Sequence, residues 1–294
     1  MDEIDFIIIK KLIENSRVTY RELAEIIDMS ITTIHKRMKS LVDDGIINAF
    51  TARPSIIALK SLVVVIFGTS KAKSLDAVSQ ELGQHESIMG IGIAGGKFLS
   101  IGAYLRNISE LQEFSSYVSN TAQISEPIIG IVNVPYMTTP EPLTTIDYKI
   151  LKTLSRDARK TITDIADDVG LSAKTIRKRL GRMIENNLVE FTIEWTPLYK
   201  DCFITIFHLF LNEGTNINST IQHLNEKYSQ NISYCTSYSN IPHFISMDTW
   251  GKNPQDFQKI HEALQTEGFK DIIPHIIHSV KYFDCWVDQL LRTK

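Results

Sequence analysis

Ser30-Ile31-Thr32-Thr33-Ile34-His35-Lys36-Arg37-Met38-Lys39-Ser40-Leu41 decides the reading of this chain. The serine oxygen can accept a hydrogen bond from the free N–H groups of a first helical turn, so Ser30 is placed to cap a helix. Ile34, Met38 and Leu41 follow at i, i+4 and i+7, one face of that helix. Thr32, Lys36 and Lys39 lie opposite, with Thr33, His35 and Ser40 on the flanks. The result is a short capped helix with one apolar and one basic face.

The stretch occurs twice. Shifting the sequence by 142 residues aligns Ile4–Ile47 with Ile146–Val189 without a gap, and Ser172 to Met183 is the second copy. Leu12, Arg17, Thr19, Ala24, Ser30, Thr33, Ile34, Lys36 and Arg37 match Leu154, Arg159, Thr161, Ala166, Ser172, Thr175, Ile176, Lys178 and Arg179. This is an internal repeat. The basic face is richer in the second copy, where Lys174, Thr175, Arg177, Lys178, Arg179 and Arg182 take the place of Thr32, Thr33, His35, Lys36, Arg37 and Ser40.

Each copy reads as three helices. The first is expected over Asp5–Asn15. The second opens on a capping box, Thr19-Tyr20-Arg21-Glu22 or its shorter-armed version Thr161-Ile162-Thr163-Asp164. A tight turn at Asp28-Met29 or Gly170-Leu171 leads into the basic helix, and small Ala24 and Ala166 let the helices approach. That is a helix-turn-helix. Ile46–Arg53 and Leu188–Trp195 then read as extended segments fit to form a bracing wing. Lys and Arg on such a helix neutralise phosphates, and Arg, Lys, Ser and Thr reach base edges in the major groove. The DNA-reading candidates are therefore Thr32, Thr33, His35, Lys36, Arg37, Lys39, Lys174, Thr175, Arg177, Lys178, Arg179 and Arg182. Arg37 and Arg179, nearer the core edge, are assigned to phosphate or structural contacts.

Between and after the heads the pattern changes. Ser61–Phe67, Ile88–Ala94, Phe98–Leu105 and Ile128–Val134 read as strands, with helices over Ser74–Leu82 and Ile108–Val118. Phe203–Leu211, Ile217–Tyr228, Ile232–Ser239, His243–Trp250, Pro254–Thr266 and Ile272–Tyr282 repeat the order β-α-β-β-α-β, a ferredoxin-like unit. The fold class is α+β, two copies of a winged helix-turn-helix followed by a ferredoxin-like domain. The expected domains are 1–54, 55–136, 145–197 and 198–294, with a proline-rich linker at 137–144. Gly90-Ile91-Gly92-Ile93-Ala94-Gly95 fits a dinucleotide-binding spacing, but that pattern needs a strand turning into a helix. Here a second strand follows, so the glycines read as part of a hairpin.

Composition narrows the function classes. The chain has 294 residues and a formal net charge of −3, so any nucleic-acid surface must be a local patch. The longest apolar run, Leu62 to Phe67, is too short to span a bilayer, and acidic Met1-Asp2-Glu3 lacks a signal-peptide pattern. Cys202, Cys235 and Cys285 are widely spaced. A reducing cytoplasm fits them, with no membrane association. No metal site and no cofactor are expected, since His275 and His278 point to opposite faces of a strand.

On Ile4-Asp5, Ser30-x-x-Thr33-Ile34-x-Lys36-Arg37-Met38-x-x-Leu41-x-x-x-Gly45-Ile46-Ile47 and the β-α-β-β-α-β unit, each half resembles one subunit of the Lrp/AsnC (leucine-responsive / asparagine-synthetase regulator) transcription regulators. The second half matches at Asp147 and Ser172 through Val189, with Asn187 in place of Gly45. The resemblance implies double-stranded DNA as partner, homo-oligomers assembled through the ferredoxin-like domains, and a small-molecule effector. The effector would lie near Gly95, Gly96 and Phe98, or His243 and Phe244. The chain departs from the family's hairpin in having Leu99 after Gly96-Lys97-Phe98 where an aspartate is usual. The expectation is a regulator with no catalytic activity, acting as an intramolecular pseudo-dimer with two unlike reading heads. Two alternatives stand beside it. Siroheme decarboxylases share this architecture, sometimes in tandem, and Tyr234-Cys235-Thr236-Ser237-Tyr238 through Met247 resembles their substrate-facing hairpin. A propionate-binding pocket would then draw on Arg106, His208, His243, His275 and His278. The other alternative is a small-molecule sensor without DNA binding.

Overall fold

The structure, a computed structural model, describes residues 1–134, 142–198 and 202–293. The expected linker at 137–144 lies outside the described residues up to 141. In chain order the first copy forms α1 (Glu3–Glu14), α2 (Tyr20–Ile27), α3 (Ile31–Asp43), β1 (Ile47–Pro54), α4 (Ile56–Leu59), β2 (Leu62–Thr69), α5 (Leu75–Leu82), β3 (Ile88–Ala94), β4 (Phe98–Leu105), α6 (Leu111–Thr121) and β5 (Ile128–Ile131). The second forms α7 (Thr145–Leu154), α8 (Ile162–Val169), α9 (Ala173–Glu185), β6 (Val189–Trp195), β7 (Phe203–Phe210), α10 (Ile217–Lys227), β8 (Ile232–Tyr238), β9 (Ile241–Gly251), α11 (Pro254–Gln265), β10 (Asp271–Tyr282) and α12 (Trp286–Thr293). Helix α12 was not expected from the sequence. The chain sorts by type of domain, not by copy: α1–α4, β1, α7–α9, β6 and α12 make one unit, and the remaining elements make the other.

Caps set the helix starts. Asp2, Thr19 and Ser30 each accept from the backbone N–H three residues on, and Thr144, Thr161 and Ser172 repeat this in the second copy. The turn between the second and third helices needs a left-handed residue, supplied by Asp28 (φ 56°) and Gly170 (φ 71°). Phe6, Ile9, Leu12, Leu23, Ile34, Met38 and Leu41 are buried in the first head. Ile150, Leu151, Leu154, Ile165, Ile176, Leu180 and Met183 form the matching core of the second.

The expected wings take a form the sequence did not disclose. Each copy has a single strand at this place, and a lone strand leaves its N–H and C=O groups unpaired. β1 therefore pairs antiparallel with β6, from Ile47 opposite Trp195 to Pro54 opposite Val189. The exchange continues beyond the ladder. Ser16 N donates to Phe191 O at 3.2 Å and Ala158 N donates to Phe50 O at 2.8 Å. Ala52 of the first copy is buried in the core of the second head, with Phe50 packed against it. Two arginines flank the ribbon reciprocally. Arg17 donates to the carbonyls of Ala158 and Lys160, and Arg159 donates to Ser16 O at 3.0 Å. Burial lowers the pKa of both guanidiniums, and at Arg17 the charge of Arg159 adds to the effect.

The second unit is one eight-stranded antiparallel sheet in the order β5-β2-β4-β3-β10-β7-β9-β8. Each copy supplies four neighbouring strands, joined where β10 pairs with β3. The outer edges then meet. Val132 bridges to Tyr238, Asn133 N donates to Ser237 O, and Ser239 N donates to Ile131 O. Asn240 completes the seam by accepting from Ile131 N and donating to Ile129 O, each at 2.7 Å. Gly130 is required here, since a Cβ would fall 2.2 Å from the Tyr238 ring. The sheet thus curls into a barrel whose edge strands meet at this seam. β3 and β4 form a hairpin through Gly95 and Gly96, so the glycine-rich stretch leads into a strand as expected.

Aromatic side chains fill the barrel face opposite the helices. Phe67 lies within 4.6–6.3 Å, centroid to centroid, of His208, Tyr238, Phe244 and Phe98. Phe98 stacks on His275 at 3.5 Å, and His208 and His275 are 4.6 Å apart. Burial, reinforced at His208 by His275, holds His208 at a pKa of about 3, and burial holds His275 at about 4. On the same face, burial raises the Asp248 carboxyl to about 7. These shifts have opposite consequences. The histidines are neutral when folded and charge more readily when unfolded, so their contribution to stability is lost as pH falls below about 6.5. Asp248 binds its proton more readily when folded, so it contributes stability as pH falls from 7 towards 4. Each group changes stability by at most about 1.4 kcal/mol per pH unit. Urea unfolding at pH 7 and pH 5 should therefore show His208→Phe with a smaller acid loss than the wild type, and Asp248→Asn with a larger one. Identical acid losses in all three proteins would contradict this account of the interior.

Candidate nucleic-acid interface

The exposed faces of α3 and α9 carry the basic residues of both heads. Thr32, His35 and Lys36 are exposed on α3, and Lys174, Arg177 and Lys178 are exposed on α9. Of the other candidates, several are already engaged within the protein. The Thr33 and Thr175 hydroxyls bond the capping serines at 2.8 and 2.9 Å. Lys39 pairs with Asp43 one turn on. Arg37 bridges Asp2 at 2.9 Å and Asp5 at 2.7 Å, tying the recognition helix to α1. In the second head Asp147, fully buried, receives Arg179 at 3.2 Å and Arg182 at 2.6 Å, and Arg179 also donates to Thr144 at 3.0 Å.

These anchors explain how a basic helix is held at a fixed angle. A guanidinium paired with a carboxylate on the neighbouring helix is both an ion pair and a directional hydrogen bond. Each head uses an aspartate in the first turn of its first helix, where the helix dipole also favours negative charge. The aspartate of the repeated Ile-Asp pair is the residue that holds the arginine. The signal was there: Asp5 and Arg37 recur together as Asp147 and Arg179, at unchanged spacing. Arg182 belongs to the anchor rather than to the exposed face. Two further contacts were missed, since the Tyr20 and His35 rings lie 5.2 Å apart, and the Arg159 guanidinium lies 5.0 Å from the Tyr20 ring.

The effector candidates are not gathered at one place. Gly95 and Gly96 are exposed in the β3–β4 turn, and His243 is exposed on β9. Phe98 and Phe244 are 6% and 1% exposed within the aromatic cluster of the barrel. Among the described residues no group of three or more His, Cys, Asp and Glu is placed to hold a metal ion. No helix among them is long and apolar enough to cross a membrane.

A family profile for winged helix-turn-helix DNA-binding domains matches residues 1–48 and 143–190, the two heads just described. An uncharacterised HTH-type transcriptional regulator of Pyrococcus furiosus is 32% identical over 116 residues, which are 38% of this chain and 78% of the relative. One from Pyrococcus horikoshii is 30% identical over 139 residues, 45% of this chain and 94% of the relative. The chain belongs to the Lrp/AsnC family of HTH-type transcriptional regulators. It is about twice the length of these relatives, as a tandem duplication requires.

One expectation is overturned. The siroheme decarboxylase NirDL superimposes with a TM-score of 0.63, covering 99% of this chain and 97% of that chain, at 14% identity. Identity that low shows the fold alone. A whole-chain architecture shared with an enzyme nevertheless removes the ground for reading this chain as without catalytic activity.

The anchor gives a direct test. Asp147→Ala leaves two guanidiniums without their carboxylate. Breaking a fully buried pair costs 3–5 kcal/mol, but Arg179 and Arg182 keep roughly a quarter of their exposure, so about 2 kcal/mol is expected. Asp43→Ala, which breaks the exposed surface pair with Lys39, should cost under about 1 kcal/mol. Thermal melting of the two variants checks the ranking, and equal melting temperatures would contradict it.

Proposed function

We propose that α3 and α9 read two unlike half-sites in double-stranded DNA, with Thr32, His35 and Lys36 facing one and Lys174, Arg177 and Lys178 facing the other. The observation that carries this reading is the set of exposed residues on two recognition helices whose other arginines are engaged by aspartates. Arg37, Arg179 and Arg182 orient the helices; Thr33 and Thr175 hold their first turns; Lys39, paired on the surface, is available to a phosphate. The second head contributes more phosphate contacts. A double-stranded DNA partner fits a protein of the cytoplasm. A small-molecule effector and assembly of barrels into homo-oligomers belong to the same reading by family likeness. Gly95, Gly96 and His243 are then the exposed positions of the effector set. Phe98 and Phe244 shape the barrel beneath them.

Replacing Lys174, Arg177 and Lys178 together by glutamine tests the assignment. Each lost phosphate contact lowers the slope of log K against log salt by about 0.9, so the slope should fall by about 2–3 and binding at physiological salt should drop at least tenfold. Unchanged duplex binding would refute the assignment.

A second reading rests on the whole-chain likeness to NirDL: an enzyme acting on an iron tetrapyrrole. Of the residues it would draw on, His243 and His278 are exposed. Arg106 is held by Glu86 through two hydrogen bonds of 2.7 and 2.9 Å, and His208 and His275 are packed among phenylalanines. Titration with an iron-uroporphyrin, followed by its absorbance, separates the readings. The regulator reading expects an unshifted Soret band; a saturable shift would bring the enzyme reading forward.

A further inference from the structure

We propose that Arg159 of the second copy positions His35 on the recognition helix of the first, acting through the ring of Tyr20. This inference rests on the reading of α3 as a DNA-recognition helix. Three contacts form the chain. Arg159 is fixed by its hydrogen bond to Ser16 O at 3.0 Å. Its guanidinium lies 5.0 Å from the Tyr20 ring centroid and 5.2 Å from that of Phe50, so two aromatic faces of the first copy hold it in place. Tyr20 in turn lies 5.2 Å from the exposed imidazole of His35, tilted by 56°. Tyr20 is the first residue of α2, and its backbone is set by the capping box of Thr19 and Glu22.

Each contact restricts a rotor. A guanidinium over a ring face is attracted by the ring quadrupole and selects one ring orientation. A ring packed against an imidazole narrows the rotamers open to the histidine. A reading side chain ordered before binding gives up less freedom on the DNA, and its donors are already placed.

Among the described residues the reciprocal chain is absent from the second head. The residue matching Tyr20 is Ile162, and the residue matching His35 is Arg177. Arg17, the counterpart of Arg159, lies 5.6 Å from the ring of Phe191, on the strand ribbon and not on a helix next to α9. The coupling therefore runs one way, from the second copy to the first head. The assigned role is that of a positioning residue for Arg159 and Tyr20, and of a specificity-determining residue for His35.

The test reads His35 directly and then its consequence. In the full-length protein labelled for histidine NMR, Tyr20→Ile and Arg159→Met should both move the His35 ring resonances, while Tyr20→Phe keeps them near their wild-type positions. Tyr20→Ile installs the residue the second copy already carries at this place, so it keeps the test available should Arg159→Met fail to fold. Arg159→Lys then tests the arginine link in its place. On a selected duplex, Tyr20→Ile should lower discrimination against base changes under the first head by about fivefold, the effect of one lost contact, and leave the second half-site unchanged. Unmoved His35 resonances, or equal loss at both half-sites, would overturn the proposal. Moved resonances in a protein whose wild type discriminates no duplex sequence would support the positioning chain and reject the DNA reading instead.

Discussion

The backbone ladder between β1 and β6 is the constraint on which the two heads depend. Each copy brings one strand and therefore half a ribbon. The hydrogen bonds of that strand can be satisfied only by the other copy. Once they pair, the first copy's Ala52 and Phe50 join the core of the second head. Arg17 and Arg159 cap carbonyls across the pair. Two heads that might have been independent modules become one object. The barrel repeats this logic with eight strands, four from each copy, closed by the Asn240 seam.

Duplication within one chain relaxes a requirement that two identical subunits cannot escape. In a homodimer every contact across the axis is made twice, by the same residues. Here the scaffold stays paired: the capping serines, the Asp–Arg anchors and the apolar face of the recognition helix recur at a spacing of 142 residues. The exposed face has diverged, to Thr32, His35 and Lys36 on one side and Lys174, Arg177 and Lys178 on the other. Even the clasp has become unequal, with Tyr20 on one side of it and Ile162 on the other. The shared residues serve folding, which leaves the exposed faces free to differ.

What the sequence disclosed follows from which contacts are local. Helix starts were legible because a cap bonds to a backbone N–H three residues away, within view of any short window. The strand order was legible because the period-2 and helical patterns alternate as a ferredoxin-like unit demands. Pairing partners were not, since nothing in Ile47–Pro54 names Val189–Trp195 as its neighbour. The same limit hid the engagement of Arg182 by Asp147, 35 residues earlier. It also hid the burial of Phe98 and Phe244, because closure of the barrel decides which sheet face is interior. The expectation of a chain without catalysis failed for a related reason. It was drawn from the residues available for chemistry, whereas the correction came from the architecture as a whole. At the interface, the repeat disclosed which helices carry the basic face. Which cations remain exposed depended on aspartates of another helix.

The measurement that bears most directly on the central claim is selection of bound sites from random duplex DNA by the purified full-length protein, at about physiological salt. Two heads held as one object with unlike reading faces should enrich a motif of two different half-sites at a fixed spacing. A perfect palindrome would mean that two chains present the same head, and no enriched motif would mean that the heads do not read sequence; either result would contradict the account.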